Sequence, residues 1–197
     1  MSAIRPLVLT VVGTFGSGKD TVGTYLAEKH GLMHVSSSDI VREESMERYN
    51  SLERADLLRT ANELREMHGP DVLGHMSYDR YEQQKDKYPA GVVMTGLRNV
   101  AGARVAKEHG GFIIFVDAPI EIRYERVQAR KRDSESQFTL DDFRKGEERE
   151  LLAGGPNHPN LLEVKDVADY HLMNGGTLEE FEAQIEDLLK SIRSEVQ

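Results

Sequence analysis

The residues GTFGSGK at 13–19 close a short apolar, β-branched run, LVLTVV at 7–12, and open a stretch of helical pattern at 21–29. A strand, a glycine-rich turn and a helix in that order constrain this chain more than any other feature. The glycines let consecutive backbone N–H groups curl round an anion, and a helix starting near Gly18 adds the positive end of its dipole. The spacing G-x-x-x-x-G-K is met by Gly13, Gly18 and Lys19. Gly13, Thr14, Phe15, Gly16, Ser17, Gly18 and Lys19 are therefore read as a phosphate cradle, with Lys19 reaching the terminal phosphates of a nucleotide. A glycine turn that binds nothing would leave Lys19 without a role. The next position departs from the pattern, because Asp20 stands where a metal-binding hydroxyl is expected and Thr21 follows one residue late. One helical step turns a side chain by about 100°, so Thr21 is no simple substitute. A carboxylate beside polyphosphate is tolerated when it points outward or contacts the water shell of a cation. Asp20 and Thr21 are accordingly the candidate Mg²⁺ contacts.

Strand patterns recur at 31–35, 91–95, 112–116 and 170–173, separated by helical patterns. Strands alternating with helices predict an α/β fold of three layers, a five-stranded parallel sheet of the P-loop NTPase type covered on both faces. The length of 197 residues suits one domain over 1–197. Between the second and third strands lies a helical excursion, 36–90, with helices expected at 38–48, 52–67 and 71–86. The nucleotide loop fixes the edge of the sheet that this insert must face. Further helices are expected at 98–109, at 119–131 behind Pro119, at 140–152 and at 177–192, where Thr177 and Glu180 have the spacing of a capping box. The stretch GGPNHPN between the last two reads as irregular.

A net charge of −9 and a pI near 5.3 argue against a nucleic-acid surface, leaving small molecules as the expected partners. There are no cysteines, which excludes disulfides, thiolate metal sites and a cysteine nucleophile. The apolar run before the glycines is too short to span a bilayer, so no membrane partner is expected and a cytoplasmic location is the default. His34, His68 and His75 lack ligand-like spacing and are assigned to no metal, nor is His158. Within this acidic chain Arg123, Arg126, Arg130, Lys131 and Arg132 form a basic cluster. Spacings of three and four put the first three on one helix face, able to converge on a polyphosphate. The alternative is a solvated face paired with Glu121, Glu125 and Asp133.

Several stretches resemble the P-loop small-molecule kinases of the nucleoside monophosphate kinase and dephospho-CoA kinase group, most closely an archaeal adenylate-kinase-related family. The residues carrying the resemblance are SSDIVREE at 37–44, TGLRN at 95–99, VDAPIEIRYERVQARKR at 116–132 and DYHLMNGGTLEE at 169–180. GSGKDT at 16–21 looks like the loop of phage-type deoxynucleoside monophosphate kinases, where an Asp follows the lysine. The resemblance implies a kinase using ATP and Mg²⁺, with the insert 36–90 receiving the acceptor and a short lid, 126–145, closing over the donor. It implies Asp39 as general base or metal-shell ligand; the other reading is that Ser38 or Asp39 caps the following helix. It implies Arg42 and Arg98 as clamps on the acceptor phosphate, Gly96 as a point of close backbone approach to the acceptor, and Asn174 near the adenine. Arg126 and Arg130, with Lys19, would stabilise charge on the transferred group. In the relatives an acid often stands at the position of Thr95, so the remaining carboxylates for a metal shell are Asp20, Asp39 and Asp117. Three functions stay open: a nucleoside or deoxynucleoside monophosphate kinase, a kinase of a ribose hydroxyl like dephospho-CoA kinase, and a nucleotide-binding regulatory module.

Overall fold

The run LVLTVVG becomes β1, Leu7–Gly13, and all of it is buried, as expected of a strand covered on both faces. The computed structural model describes residues 5–129, 139–152 and 160–196. Beyond β1 the order is α1 Lys19–His30, β2 Met33–Ser36, α2 Ser37–Tyr49, α3 Arg54–His68, α4 Val72–Glu82, β3 Gly91–Thr95 and α5 Val100–Glu108. There follow β4 Phe112–Asp117, α6 Ile120–Ala129, α7 Leu140–Leu152, α8 Leu161–Val167, β5 Tyr170–Met173 and α9 Leu178–Glu195. The five strands form one parallel sheet in the order β2-β3-β1-β4-β5. The chain winds outward in both directions from β1, which puts the loop after β1 at the carboxyl edge where such sheets bind ligands.

Two apolar layers enclose the sheet. On one face Val22 and Leu26 of α1 and Phe181, Ile185, Leu189 and Ile192 of α9 cover Leu9, Val11, Val93 and Ile114. On the other, Ile40 and Val41 of α2, Leu64 of α3, Val72, Leu73 and Tyr81 of α4 and Ala103 of α5 join Val8, Met94 and Phe115. The long helical excursion is thus part of the main core through its buried faces. α9 opens with the expected box: Thr177 Oγ1 accepts from the Glu180 amide at 3.2 Å, and the Thr177 amide donates to Glu180 Oε2 at 2.9 Å. β2 begins two residues later than expected, because Gly31 at φ 70° caps α1 and Leu32 still bonds back to Leu26. α8 was not foreseen. Asn160 caps it by accepting from the Glu163 amide, and Leu161 and Val164 are buried on the sheet. Residues 154–159 of the expected irregular stretch, together with Arg130, Lys131, Arg132 and residues 133–138 of the expected lid, lie outside the described residues.

Candidate functional site

The loop between β1 and α1 is shaped by two left-handed glycines, Gly16 at φ 80° and Gly18 at φ 99°, a conformation that any Cβ would strain. Gly18 is the N-cap of α1, and among the described residues no side-chain cap bond closes that end. Among the loop amides of the described residues, that of Ser17 turns inward to Thr14 O at 3.1 Å. Ser17 Oγ is buried with no hydrogen-bond partner among the described residues. A helix end without a cap, next to an orphaned hydroxyl in a glycine cradle, fits the phosphates of a nucleotide.

Three anchors hold the loop. Thr14 Oγ1 donates to Asp117 Oδ1 at 2.8 Å, and the Ala118 amide donates to the same oxygen at 2.9 Å. Asn174, 7% exposed, donates from Nδ2 to Ser17 O at 2.9 Å. Arg123, 5% exposed, donates to Ala118 O at 2.7 Å and to Phe15 O at 3.4 Å, and is gripped by both carboxylate oxygens of Glu147 on α7. The shared helix face that suggested Arg123 as a polyphosphate ligand therefore has a different outcome: its guanidinium is consumed inside the protein, beneath the loop. Asp117 Oδ1 is likewise committed to Thr14 and Ala118, with Lys165 and Arg123 nitrogens each 3.8 Å from the carboxylate.

Arg126, one turn further along α6, comes to the cavity beside the loop. Its NH2 donates to Asn174 Oδ1 at 3.0 Å and its NH1 to Asn174 O at 3.1 Å. The cavity, about 330 Å³, is lined by Gly18, Thr21, Arg126, Ala129, Asn174 and Leu178. The structure thus brings Asn174, Arg126 and Thr21 together at one opening. Lys19 Nζ lies 3.0 Å from Asp20 Oδ2, with Asp20 half exposed. No cluster of three or more His, Cys, Asp or Glu able to hold a metal occurs among the described residues. Asp20 and Thr21 alone are a sparse donor set, which suits Mg²⁺ held by one carboxylate, a hydroxyl, waters and substrate phosphates.

Across the carboxyl edge, the N-cap of α2 is Ser36, whose side chain makes no capping bond among the described residues, so neither Ser38 nor Asp39 occupies the cap position. Asp39 is exposed and pairs with Arg42, NH1 to Oδ1 at 2.7 Å. Gly96, at φ 83°, lies where a Cβ would come 2.7 Å from Ser37 Oγ, so its close backbone approach is to α2. Arg98 is half-buried, and its carbonyl accepts from the Asn160 amide at 3.0 Å. Two residues missed by the sequence reading join this side. Arg65 of α3 is half-buried with long bonds to Ala61 O and Asn62 Oδ1, at 3.3 and 3.4 Å. Burial, and then the neighbouring Arg98, hold its guanidinium below the usual arginine range. Nothing in the sequence separates it from the solvated arginines of the same helices. His34 of β2 places Nε2 3.0 Å from Thr95 Oγ1. Burial pushes its imidazole below the usual histidine value, partly opposed by Asp20 and Asp39. Its sequence signal is a single polar residue inside a short strand, facing a glycine in the preceding helix.

A family described as an AAA domain matches residues 9–152. The UPF0200 protein of Sulfurisphaera tokodaii is 31% identical over 193 residues, which is 98% of this chain and 99% of that one. The UPF0200/UPF0201 protein of Archaeoglobus fulgidus is 31% identical over 96% of this chain, which spans 57% of that longer protein. Among solved structures, shikimate kinase from Acinetobacter baumannii in complex with shikimate superposes with a TM-score of 0.55 at 20% identity, covering 96% of this chain and 95% of the enzyme. The fold is that of a P-loop kinase. No helix among the described residues is long and apolar enough to cross a membrane. Matched over residues 9–152 by the AAA domain and over nearly its whole length by full-length relatives, the chain belongs to the UPF0200 family.

Proposed function

We propose that the protein is an ATP-dependent phosphotransferase whose acceptor is a small phosphate-bearing molecule, a nucleoside monophosphate or its deoxy form. The observation that carries this reading is the distribution of charge about the carboxyl edge. Lys19 and Arg126 stand on the side of the phosphate loop, Arg42, Arg65 and Arg98 on the side of α2 and α3, while the candidate base Asp39 is exposed and paired to Arg42. An acceptor phosphate oxygen is already a nucleophile and needs arginines more than a base; a ribose hydroxyl needs a free carboxylate. In this reading the loop 13–19 holds the donor phosphates and the cavity beside Asn174 and Arg126 takes the donor nucleoside. Asp20 and Thr21 are the residues that would hold Mg²⁺, which neutralises phosphate charge when bound. Arg42, Arg65 and Arg98 hold the acceptor, Lys19 and Arg126 draw charge from the transferred group, and the region 126–145, Arg130 included, closes to exclude water.

The test is ATP consumption with Mg²⁺ against a panel of nucleoside monophosphates, their deoxy forms and dephospho-CoA. Acceptor-dependent turnover that drops by about a hundredfold or more in Lys19→Ala supports the proposal. Turnover with dephospho-CoA alone would replace it with a ribose-hydroxyl kinase. ATP binding with no acceptor raising consumption above that of Lys19→Ala would replace it with a regulatory module.

A further inference from the structure

The carbonyl oxygens of the phosphate loop are held from behind. Thr14 O accepts from the Ser17 amide at 3.1 Å, Phe15 O from Arg123 NH1 at 3.4 Å, and Ser17 O from Asn174 Nδ2 at 2.9 Å. In a planar trans peptide unit the N–H that follows a carbonyl points the opposite way. The donors on Phe15 O and Ser17 O therefore turn the Gly16 amide away from Arg123 and the Gly18 amide away from Asn174. The same two residues back the glycines themselves. A Cβ on Gly16 would lie 2.8 Å from Arg123 O, and one on Gly18 would lie 2.3 Å from Asn174 Nδ2.

Each donor is fixed in turn by a partner of its own. Arg123 gives Nε to Ala118 O and both terminal nitrogens to Glu147, and the Phe15 ring rests on Phe143 of the same helix, α7, with centroids 5.9 Å apart. The peptide unit 15–16 is thus steered through its carbonyl and through its side chain. Asn174 cannot turn its amide end for end: a guanidinium offers hydrogens alone, and Arg126 NH2 holds Oδ1 at 3.0 Å, which leaves Nδ2 facing Ser17 O. We propose that Arg123 and Asn174 are positioning residues for phosphate binding, Arg123 aiming the Gly16 amide and Asn174 the Gly18 amide at the phosphates of a bound nucleotide, with Glu147 keeping Arg123 in place. The inference rests on the functional reading above insofar as it needs a nucleotide's phosphates at the loop. The two tethers come from different elements, so each governs its own amide and their effects separate.

The experiment is nuclear magnetic resonance of the full chain carrying ¹⁵N-glycine, titrated with ADP and, separately, with adenosine. In the wild type the Gly16 and Gly18 amide protons should move downfield with ADP, as amides do on bonding to an anion, and stay in place with adenosine. Arg123→Met combined with Glu147→Leu removes the buried pair without stranding either charge, which keeps the chain folded. In that variant Gly16 should lose its response while Gly18 keeps it. Asn174→Ala should do the reverse. Each should bind ADP about threefold to tenfold more weakly, the weight of one hydrogen bond. Glu147→Gln, which still offers Arg123 an acceptor, should retain the Gly16 response. Responses of both glycines in both variants, or loss of both in either one, would overturn the proposal, the second outcome marking a general collapse of the loop. Movement of both signals by adenosine, or ADP affinity unchanged in both variants, would overturn it as well. Failure of the wild-type chain to bind ADP would instead refute the functional reading on which it rests.

Discussion

The grip of Glu147 on Arg123 allows a stability change to be worked from the structure. Arg123 is 5% exposed and the Glu147 side chain 14%, with the Arg123 NH2 to Glu147 Oε2 bond at 3.0 Å beside a shorter partner bond. Removing one member of a buried pair leaves an uncompensated charge and costs about 3–5 kcal/mol. Because Glu147 keeps some solvent contact and water can enter the vacated space, the lower end applies, about 3 kcal/mol for Glu147→Ala. At about 2–4 °C per kcal/mol for a chain of this size, Tm should fall by roughly 6–12 °C. The internal control is the exposed pair of Arg144 and Glu121, 3.2 Å apart with both side chains at least half exposed. Glu121→Ala should change stability by no more than about 0.5 kcal/mol. The assay is urea unfolding followed by circular dichroism, with thermal melts in parallel. Equal effects of the two substitutions, or a loss under about 1 kcal/mol for Glu147→Ala, would refute the view that α7 is tied to the phosphate loop through a desolvated ion pair.

Three further outcomes follow from the site. Asp20→Asn should tighten ATP about twofold to fivefold without Mg²⁺, by removing a repelling charge and freeing Lys19, and weaken it by a similar factor with Mg²⁺; isothermal titration at both conditions checks the change of sign, and the same direction in both would exclude a metal-shell role. Asn174→Ala should cost about 1–3 kcal/mol of stability, because the buried Ser17 carbonyl loses its donor, and should weaken ATP as Arg126 is released; unfolding curves and nucleotide titration test both. The His34 imidazole has a pKa lowered from 6.5 in the folded chain, so between that value and the lower folded one the unfolded state binds more protons. Stability should therefore decline as pH falls below about 6.5. Measured from pH 7.5 to 5, above the carboxylate range, the slope of unfolding free energy should be steeper for wild type than for His34→Gln, and parallel slopes would contradict the burial.

The layout of the fold was legible because its signals are local. β1, β3 and β4 are short apolar runs buried on both faces, the loop declares itself by glycine spacing, and both bonds of the Thr177 capping box lie within four residues. What was not legible depends on partners far along the chain. Arg123 and Arg126 have equivalent spacing and chemistry; Glu147 on α7 buries one and Asn174 after β5 draws the other to the cavity. Asp117 is drawn under the phosphate loop by Thr14, 103 residues away. The meeting of His34 with Thr95 depends on the β2-β3 register, which no motif encodes. α8 escaped notice since its seven residues follow a glycine and proline stretch and bury just two apolar side chains.

Under the proposed function, the Lys19 to Asp20 contact explains how an acid can stand directly after the loop lysine without closing the site to nucleotides. An ion pair whose carboxylate is half exposed is worth about 0–1 kcal/mol. A polyphosphate offers Lys19 more negative charge, in a cradle already lined with backbone amides and backed by a helix end. The lysine therefore exchanges partners at small cost when phosphates arrive. Asp20 then gives up its contact with Lys19 as a phosphate group comes near, and its carboxylate is most easily accommodated by a divalent cation bridging the two. On that proposal, donor and metal binding would depend on each other through a single side chain. That dependence follows from the order Lys then Asp at the start of α1, where a hydroxyl in place of Asp20 would have left the lysine unpaired in the empty loop.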